Sequence, residues 1–160
     1  MRGWNWNCAD AASKSTYGDG FFGARIKIAD IKGLNNAVWL TTADNFEIDI
    51  AEARYPSYVH LGLQYWPPAN AGQHAGMGWG ATFKENLAAG FHDVGLLRTP
   101  ADLVYEIDGE PIAAVRTHGA VNGAATIRLS TALGDWAGGT VPDHPETHDM
   151  LVLSLRVVAP

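Results

Sequence analysis

The stretch Tyr58-Val-His-Leu-Gly-Leu-Gln-Tyr-Trp66 alternates without a fault. In an extended chain successive side chains point to opposite faces, so Val59, Leu61, Leu63 and Tyr65 share one face and Tyr58, His60, Gly62, Gln64 and Trp66 the other. Such a segment is a half-buried strand. Working outward, the same period of two runs through Phe22–Ile28, Ala37–Thr42 and Phe46–Ile50. Towards the C-terminus it runs through Phe91–Leu97, Leu103–Ile107, Pro111–Arg116, Ile127–Ala132 and Met150–Val158. Asp108-Gly109 separates two of these runs by a two-residue hairpin signal. The Pro67–Gly80 stretch, rich in Pro and Gly, reads as a long loop. Lys84–Ala89 is the one short segment with helical character, and residues 1–15 form an irregular N-terminal segment. Many short strands, regular turn signals and no long amphipathic helix predict an all-β antiparallel sandwich, with residues 1–160 forming a single domain.

Composition narrows the function. The 160 residues carry 11 Lys+Arg against 17 Asp+Glu, a formal net charge of −6. Long-range attraction of phosphate is therefore absent, and neither a nucleic acid nor another polyanion is expected as a partner. A hydrophobic fraction of 47% is enough for a core, and no apolar run is long enough for a membrane span. No signal peptide is expected from the first thirty residues, and the compartment stays open. The single Cys8 rules out an internal disulfide and a cysteine-ligated zinc site. It also lacks the His/Asp pattern of a nucleophile. His144-Pro-Glu-Thr-His148 has metal-like spacing, but its prolines predict a solvated turn, so no metal site is assigned. The Gly-rich stretches Gly18–Gly20 and Gly134–Gly139 precede no helix, which argues against phosphate binding.

The segment with chemistry is Glu47-Ile-Asp-Ile-Ala-Glu52. Three carboxylates in six residues repel one another and are costly to bury. In a regular strand Glu47 and Asp49 share a face and Glu52 lies opposite. A one-residue β-bulge near Ala51 returns Glu52 to the face of the other two. At a rise of roughly 3.3 Å per residue, the two glutamate Cα atoms are then about 13 Å apart, and their side chains can lean to about 5–6 Å. That separation suits a nucleophile and a general acid/base of a retaining glycosidase, with Asp49 between them sharing a proton. The alternative is a charged, solvent-facing strand with Glu52 simply beyond it.

With these residues in view, the chain resembles glycoside hydrolase family 16, of the laminarinase, lichenase and agarase type. Thr16–Ile28 is similar to the family's Y-G-x-F-E-A-R-I-K strand, and Leu34–Leu40 to its G-x-W-P-A-F-W-L segment. Glu47–Glu52 matches the bulged E-I-D-I-x-E signature. Phe91–Leu96, Val104–Gly109, Ala132–Gly138 and Leu155–Val158 resemble later family segments. The resemblance implies a concanavalin-like β-jelly roll with a cleft, incomplete here at its N-terminal third. It implies Glu47 as nucleophile, Asp49 as assistant and Glu52 as general acid/base. Trp39 would be a sugar platform, with His60, Gln64, Trp66 and Trp136 as further substrate-binding residues; for His60 and His92 the alternative is a hydrogen-bonded structural histidine. Gln64 stands where the family has a second histidine, Arg98 where a tryptophan is common, and Leu153 where an aspartate often helps hold calcium. No cofactor is therefore expected. The implied activity is endo-acting hydrolysis of β-1,3- or mixed β-1,3/1,4-glucan, or of a related β-galactan, by a monomer. The alternative is a non-catalytic carbohydrate-binding sandwich or an inactive remnant.

Overall fold

The computed structural model describes residues 7–69, 71–141 and 146–160. Its strands are β1 (Asp10–Ala12), β2 (Gly20–Lys27), β3 (Leu34–Thr42), β4 (Phe46–Arg54), β5 (Tyr58–Tyr65) and β6 (Ala75–Thr82), then β7 (His92–Arg98), β8 (Asp102–Ile107), β9 (Glu110–Arg116), β10 (Ala125–Leu133) and β11 (Leu151–Val158). They form two sheets of antiparallel neighbours. One has six strands in the order β1-β10-β3-β4-β5-β6, and the other five in the order β11-β2-β7-β8-β9. The architecture is the all-β sandwich that the alternation predicts. Among the described residues no helix is long and apolar enough to cross a membrane.

The core lies between the sheets and draws on the inward positions of both. Val38, Leu40, Ile48, Val59 and Leu61 come from one sheet, and Phe22, Ile26, Leu96, Leu103 and Tyr105 from the other. Period-two patterning works here because each sheet has one apolar face to bury. Tyr105 shows the limit of that rule, since its ring is wholly buried and its hydroxyl still needs a partner. It crosses the core and donates a 2.9 Å hydrogen bond to the carbonyl of Gly62 on β5. The Asp108-Gly109 turn has positive φ at both residues (52° and 81°), as a two-residue hairpin requires.

Three expectations are corrected. The stretch read as a loop to Gly80 holds β6, which pairs with β5 in unbroken register from Tyr58↔Thr82 to Tyr65↔Ala75. Its alternation is of glycine with Met77, Trp79 and Ala81, and glycine is a poor strand former, so the period was hidden by the very residues that carry it. Lys84–Ala89 forms turns and bends rather than a helix, with Leu87 N–H bonded to the Pro56 carbonyl at 2.7 Å. The N-terminal segment is not wholly irregular. Asp10–Ala12 pairs with Arg128–Ser130 of β10, a strand too short and too exposed to leave an apolar pattern. Residues 1–6 of that segment, and the His144 and Pro145 of the histidine motif, lie outside the described residues.

Candidate active site

The bulge is present in β4. Trp39 pairs with Asp49 and Val38 with Ala51, so Ile50 has no partner on β3. On the other side Asp49 pairs with Gly62 and Glu52 with His60, so Ile50 and Ala51 together face Leu61. Ile50 and Ala51 are consecutive, and both are buried in the core. That costs one step of alternation and turns Glu52 back to the face of Glu47 and Asp49. The three acids and Arg54 therefore form a row along the outer face of the six-stranded sheet. Opposite them on β5 stand Gln64, Gly62, His60 and Tyr58 in register.

Although this row faces away from the core, it is recessed. Asp49 is only 6% exposed. Single ligand atoms of Asp49, Glu52 and His60 lie within 4.8 Å of one another. Three groups this close could hold a cation, but both oxygens of Glu52 are engaged by protein donors. Asn35 Nδ2 donates to Oε1 at 2.7 Å, and His60 Nδ1 lies 2.8 Å from Oε2. The apolar side chain of Leu153, exposed on β11, offers no ligand oxygen.

Glycines make the crowding possible. A Cβ on Gly62 would stand 2.4 Å from Asp49 Oδ2. On β6, Cβ atoms at Gly76, Gly78 and Gly80 would stand 1.6 Å from Gln64 Oε1, 2.3 Å from His60 Nε2 and 2.4 Å from Tyr58 Oη. The glycine face of β6 is thus the bed on which the β5 side chains lie.

The electrostatics divide the row. Burial raises Glu47 above the ordinary glutamate range, and the Glu52 charge adds to it. A hydrogen bond from Trp66 and the charges of His74 and Arg128 oppose the rise. Asp49 is pushed up to about 7, first by burial and then by the charges of Glu52 and Glu47. Burial would also raise Glu52, but the hydrogen bond and charge of His60, the charge of Arg54 and the Asn35 hydrogen bond together outweigh it, and Glu52 is lowered. Below about pH 7 the resting row thus holds a proton on Asp49, between two glutamates.

A stability prediction follows from Asp49. Its carboxyl has an ordinary value of 3.8 and titrates near 7 in the fold. Between these pH values the folded chain holds a proton that the unfolded chain has released, so stability falls as pH rises through this window and is level above it. Asp49→Asn removes the penalty. Relative to the parent it should gain little at pH 4 and on the order of 4 kcal/mol at pH 8. Thermal unfolding at the two pH values measures this, and an equal difference at both would refute the buried proton.

The aromatic residues fall at both ends of the row. Trp66, just beyond β5, is half exposed beside Glu47 and stacks on His74 with ring centroids 4.0 Å apart. His74 Nε2 lies 3.1 Å from Gln64 Oε1. Trp136, on a single 3₁₀ turn at Asp135–Ala137, is also half exposed, with the Arg54 guanidinium 5.3 Å from its ring centroid. Trp39 lies on the acid face opposite Asp49. Its Nε1 donates to Ser130 Oγ at 3.0 Å, and the Arg128 guanidinium sits 4.7 Å over its ring. One face of the expected sugar platform is therefore taken by Arg128. His92 is outside the row, on β7 of the other sheet, where Nδ1 meets Asp108 Oδ2 at 2.8 Å. His148 Nδ1 lies 3.0 Å from Asp30 Oδ1.

Sequence reasoning missed Asn35, Arg54, Tyr58, His74 and Arg128. Asn35 left a trace, since two asparagines inside an apolar run must find partners. Arg54 was hidden by the bulge, which places it on the acid face only once the alternation is counted past it.

Residues 3–150 match the sequence profile of the glycosyl hydrolases family 16. No curated protein sequence matches the chain. Among solved structures, an endo-acting O-glycanase from the human gut microbiota superposes with a TM-score of 0.78 at 19% identity, covering 92% of this chain and 60% of that one. A Bacteroides ovatus family 16 enzyme of mixed-linkage glucan, bound to an oligosaccharide product, gives 0.80 at 19%, covering 94% and 74%. The endo-β-1,3-glucanase of Pyrococcus furiosus gives 0.78 at 22%, covering 94% and 65%. The chain thus spans about two thirds of the length of these structures, and at such identities the likeness is one of fold.

Proposed function

Because the chain belongs to glycosyl hydrolase family 16, we propose that it is an endo-acting retaining hydrolase of β-1,3- or mixed β-1,3/1,4-glucan, or of a related β-galactan. The observation that carries this reading is the bulge, which gathers Glu47, Asp49 and Glu52 on one recessed face. The exposed rings of Trp66 and Trp136 at opposite ends of the row support an internal cut, since apolar sugar faces on either side of the scissile bond would each find an aromatic surface.

In the first step the Glu47 carboxylate attacks the anomeric carbon while Glu52 gives its proton to the departing glycosidic oxygen. The glycan fragment leaves and a glycosyl ester forms on Glu47. In the second step Glu52, now ionised, takes a proton from water. The resulting hydroxide attacks the anomeric carbon, the ester breaks, and both acids return to their starting states. The chemistry needs the proton on Glu52 and the charge on Glu47, whereas the resting row leans the other way. Substrate supplies the difference. A sugar over Glu52 displaces water, and burial is already the largest influence raising its pKa. Asp49, pushed up to about 7, spares the ionised nucleophile a third full negative charge below that pH.

The test begins with release of reducing ends from laminarin, lichenan, agarose and carrageenan. Proton NMR of the first products from the active substrate should show the anomeric configuration of the cleaved bond retained. Inverted product overturns the double displacement. Oligosaccharide binding without any release over days overturns the hydrolase reading in favour of a binding module.

A further inference from the structure

Gln64 stands in register between Glu47 on β4 and Gly76 on β6. Its amide lies there with a definite polarity. The oxygen is on the β6 side, 1.6 Å from where a Cβ on Gly76 would stand. The nitrogen is turned towards Gly62, 3.3 Å from where a Cβ on that residue would stand, and Asp49 Oδ2 is 2.4 Å from the same point. The donor end of the amide is therefore the end that faces the acids. An amide turned end for end fills the same space, so shape does not choose between the two settings and a hydrogen-bonding partner must.

That partner is His74, on the loop ahead of β6. Its Nε2 lies 3.1 Å from Gln64 Oε1. A carbonyl oxygen only accepts, so Nε2 carries the hydrogen whether the ring is neutral or charged. The ring itself is placed by its stack on Trp66, with centroids 4.0 Å apart and planes 27° apart. Trp66 is fixed in turn, because its backbone N–H donates to the Asn45 carbonyl at 2.9 Å and its side chain hydrogen-bonds Glu47. Opposite Glu47, amide N–H groups favour the ionised carboxylate that attack requires, and a carbonyl oxygen would oppose it as burial already does.

We infer that His74 is a positioning residue for the nucleophile: stacked on Trp66, it holds the Gln64 oxygen so that the amide N–H groups, and not the carbonyl, face the acid row. The inference rests on the hydrolase reading and adds to it a residue that acts through Gln64. The contribution of His74 should therefore appear in turnover rather than in affinity, and should need the Gln64 amide.

The test measures reducing-end release from the preferred glycan and, by calorimetry, the affinity for an oligosaccharide of the same backbone. His74→Phe keeps a ring against Trp66 and removes the donor. His74 is exposed, so the variant should fold, and retained oligosaccharide binding shows that it has. Its kcat should fall about tenfold while affinity stays within about threefold of the parent. His74→Gln, whose amide nitrogen can take the place of Nε2, should recover kcat to within about threefold of the parent. Gln64→Met fills the same space without an amide, and in that background His74→Phe should cost no more than about twofold further. An unchanged kcat in His74→Phe overturns the assignment, as does a loss that His74→Gln does not relieve. A loss confined to affinity also overturns it, by making His74 part of a sugar-binding surface, and so does an equal loss with and without the Gln64 amide. If the parent chain releases no reducing ends from any glycan, the hydrolase reading fails first and this inference with it. If the parent cuts and His74→Phe cuts as fast, only this inference fails.

Discussion

Glu47→Gln should lower kcat on the preferred glycan by on the order of 10⁴-fold or more, because an amide cannot form the glycosyl ester on which both steps turn. The side chain keeps its length, and its neighbours Trp66 and Gln64 stay in place. Oligosaccharide affinity should therefore change little. Calorimetry beside a reducing-end assay separates the two effects. Glu52→Gln, by contrast, should lose its first step only where the leaving group needs a proton. An aryl glycoside with an acidic phenol should therefore be cleaved faster than the natural glycan by that variant, and by no such margin in Glu47→Gln. More than about one hundredth of parental activity in Glu47→Gln would remove Glu47 from the nucleophile's place.

How far these roles were legible before any coordinates depends on the range of the interaction that fixes each one. The face of Tyr58–Trp66 and the bulge at Ile50–Ala51 were legible, because both are local. One is set by the pleat. The other was one of two readings that three carboxylates on a single strand left open, and the likeness of Glu47–Glu52 to the family's bulged signature favoured it. β6 was not legible, because Gly76, Gly78 and Gly80 serve the site by lacking side chains, and a glycine run reads as a turn. The protonation pattern was not legible either. The family resemblance implies an ionised Glu47 and a protonated Glu52, while the resting directions are set by the burial of Glu47 and, at Glu52, by His60 on β5, Arg54 on β4 and Asn35 on β3. Those partners come from three different places in the chain, and only sheet order brings them to one row. Trp39 teaches the same lesson. Its place on the acid face follows from β3, but the guanidinium that covers it comes from β10.

Gly62→Ala should damage both stability and turnover, and for one reason. A Cβ at this position would lie 2.4 Å from Asp49 Oδ2. Neither side has room to yield. Asp49 is buried in the row between Glu47 and Glu52, and the Gly62 carbonyl is held from the core by the Tyr105 hydroxyl at 2.9 Å. Overpacking of this kind costs about 1–3 kcal/mol. If Asp49 is displaced toward its neighbours, a shift near 1 Å in the row should lower kcat by about a hundredfold. Gly90→Ala, with nothing within 4 Å of the added carbon, is the matching control and should be neutral. The decisive measurement is a double-mutant cycle. In an Asp49→Ala background the clash is gone, so Gly62→Ala should cost much less than it does alone, and the coupling should exceed about 1 kcal/mol. Additive effects would show that Gly62 is required by its own strand rather than by the carboxyl above it, and that Asp49 does not occupy the crowded position on which its proton depends.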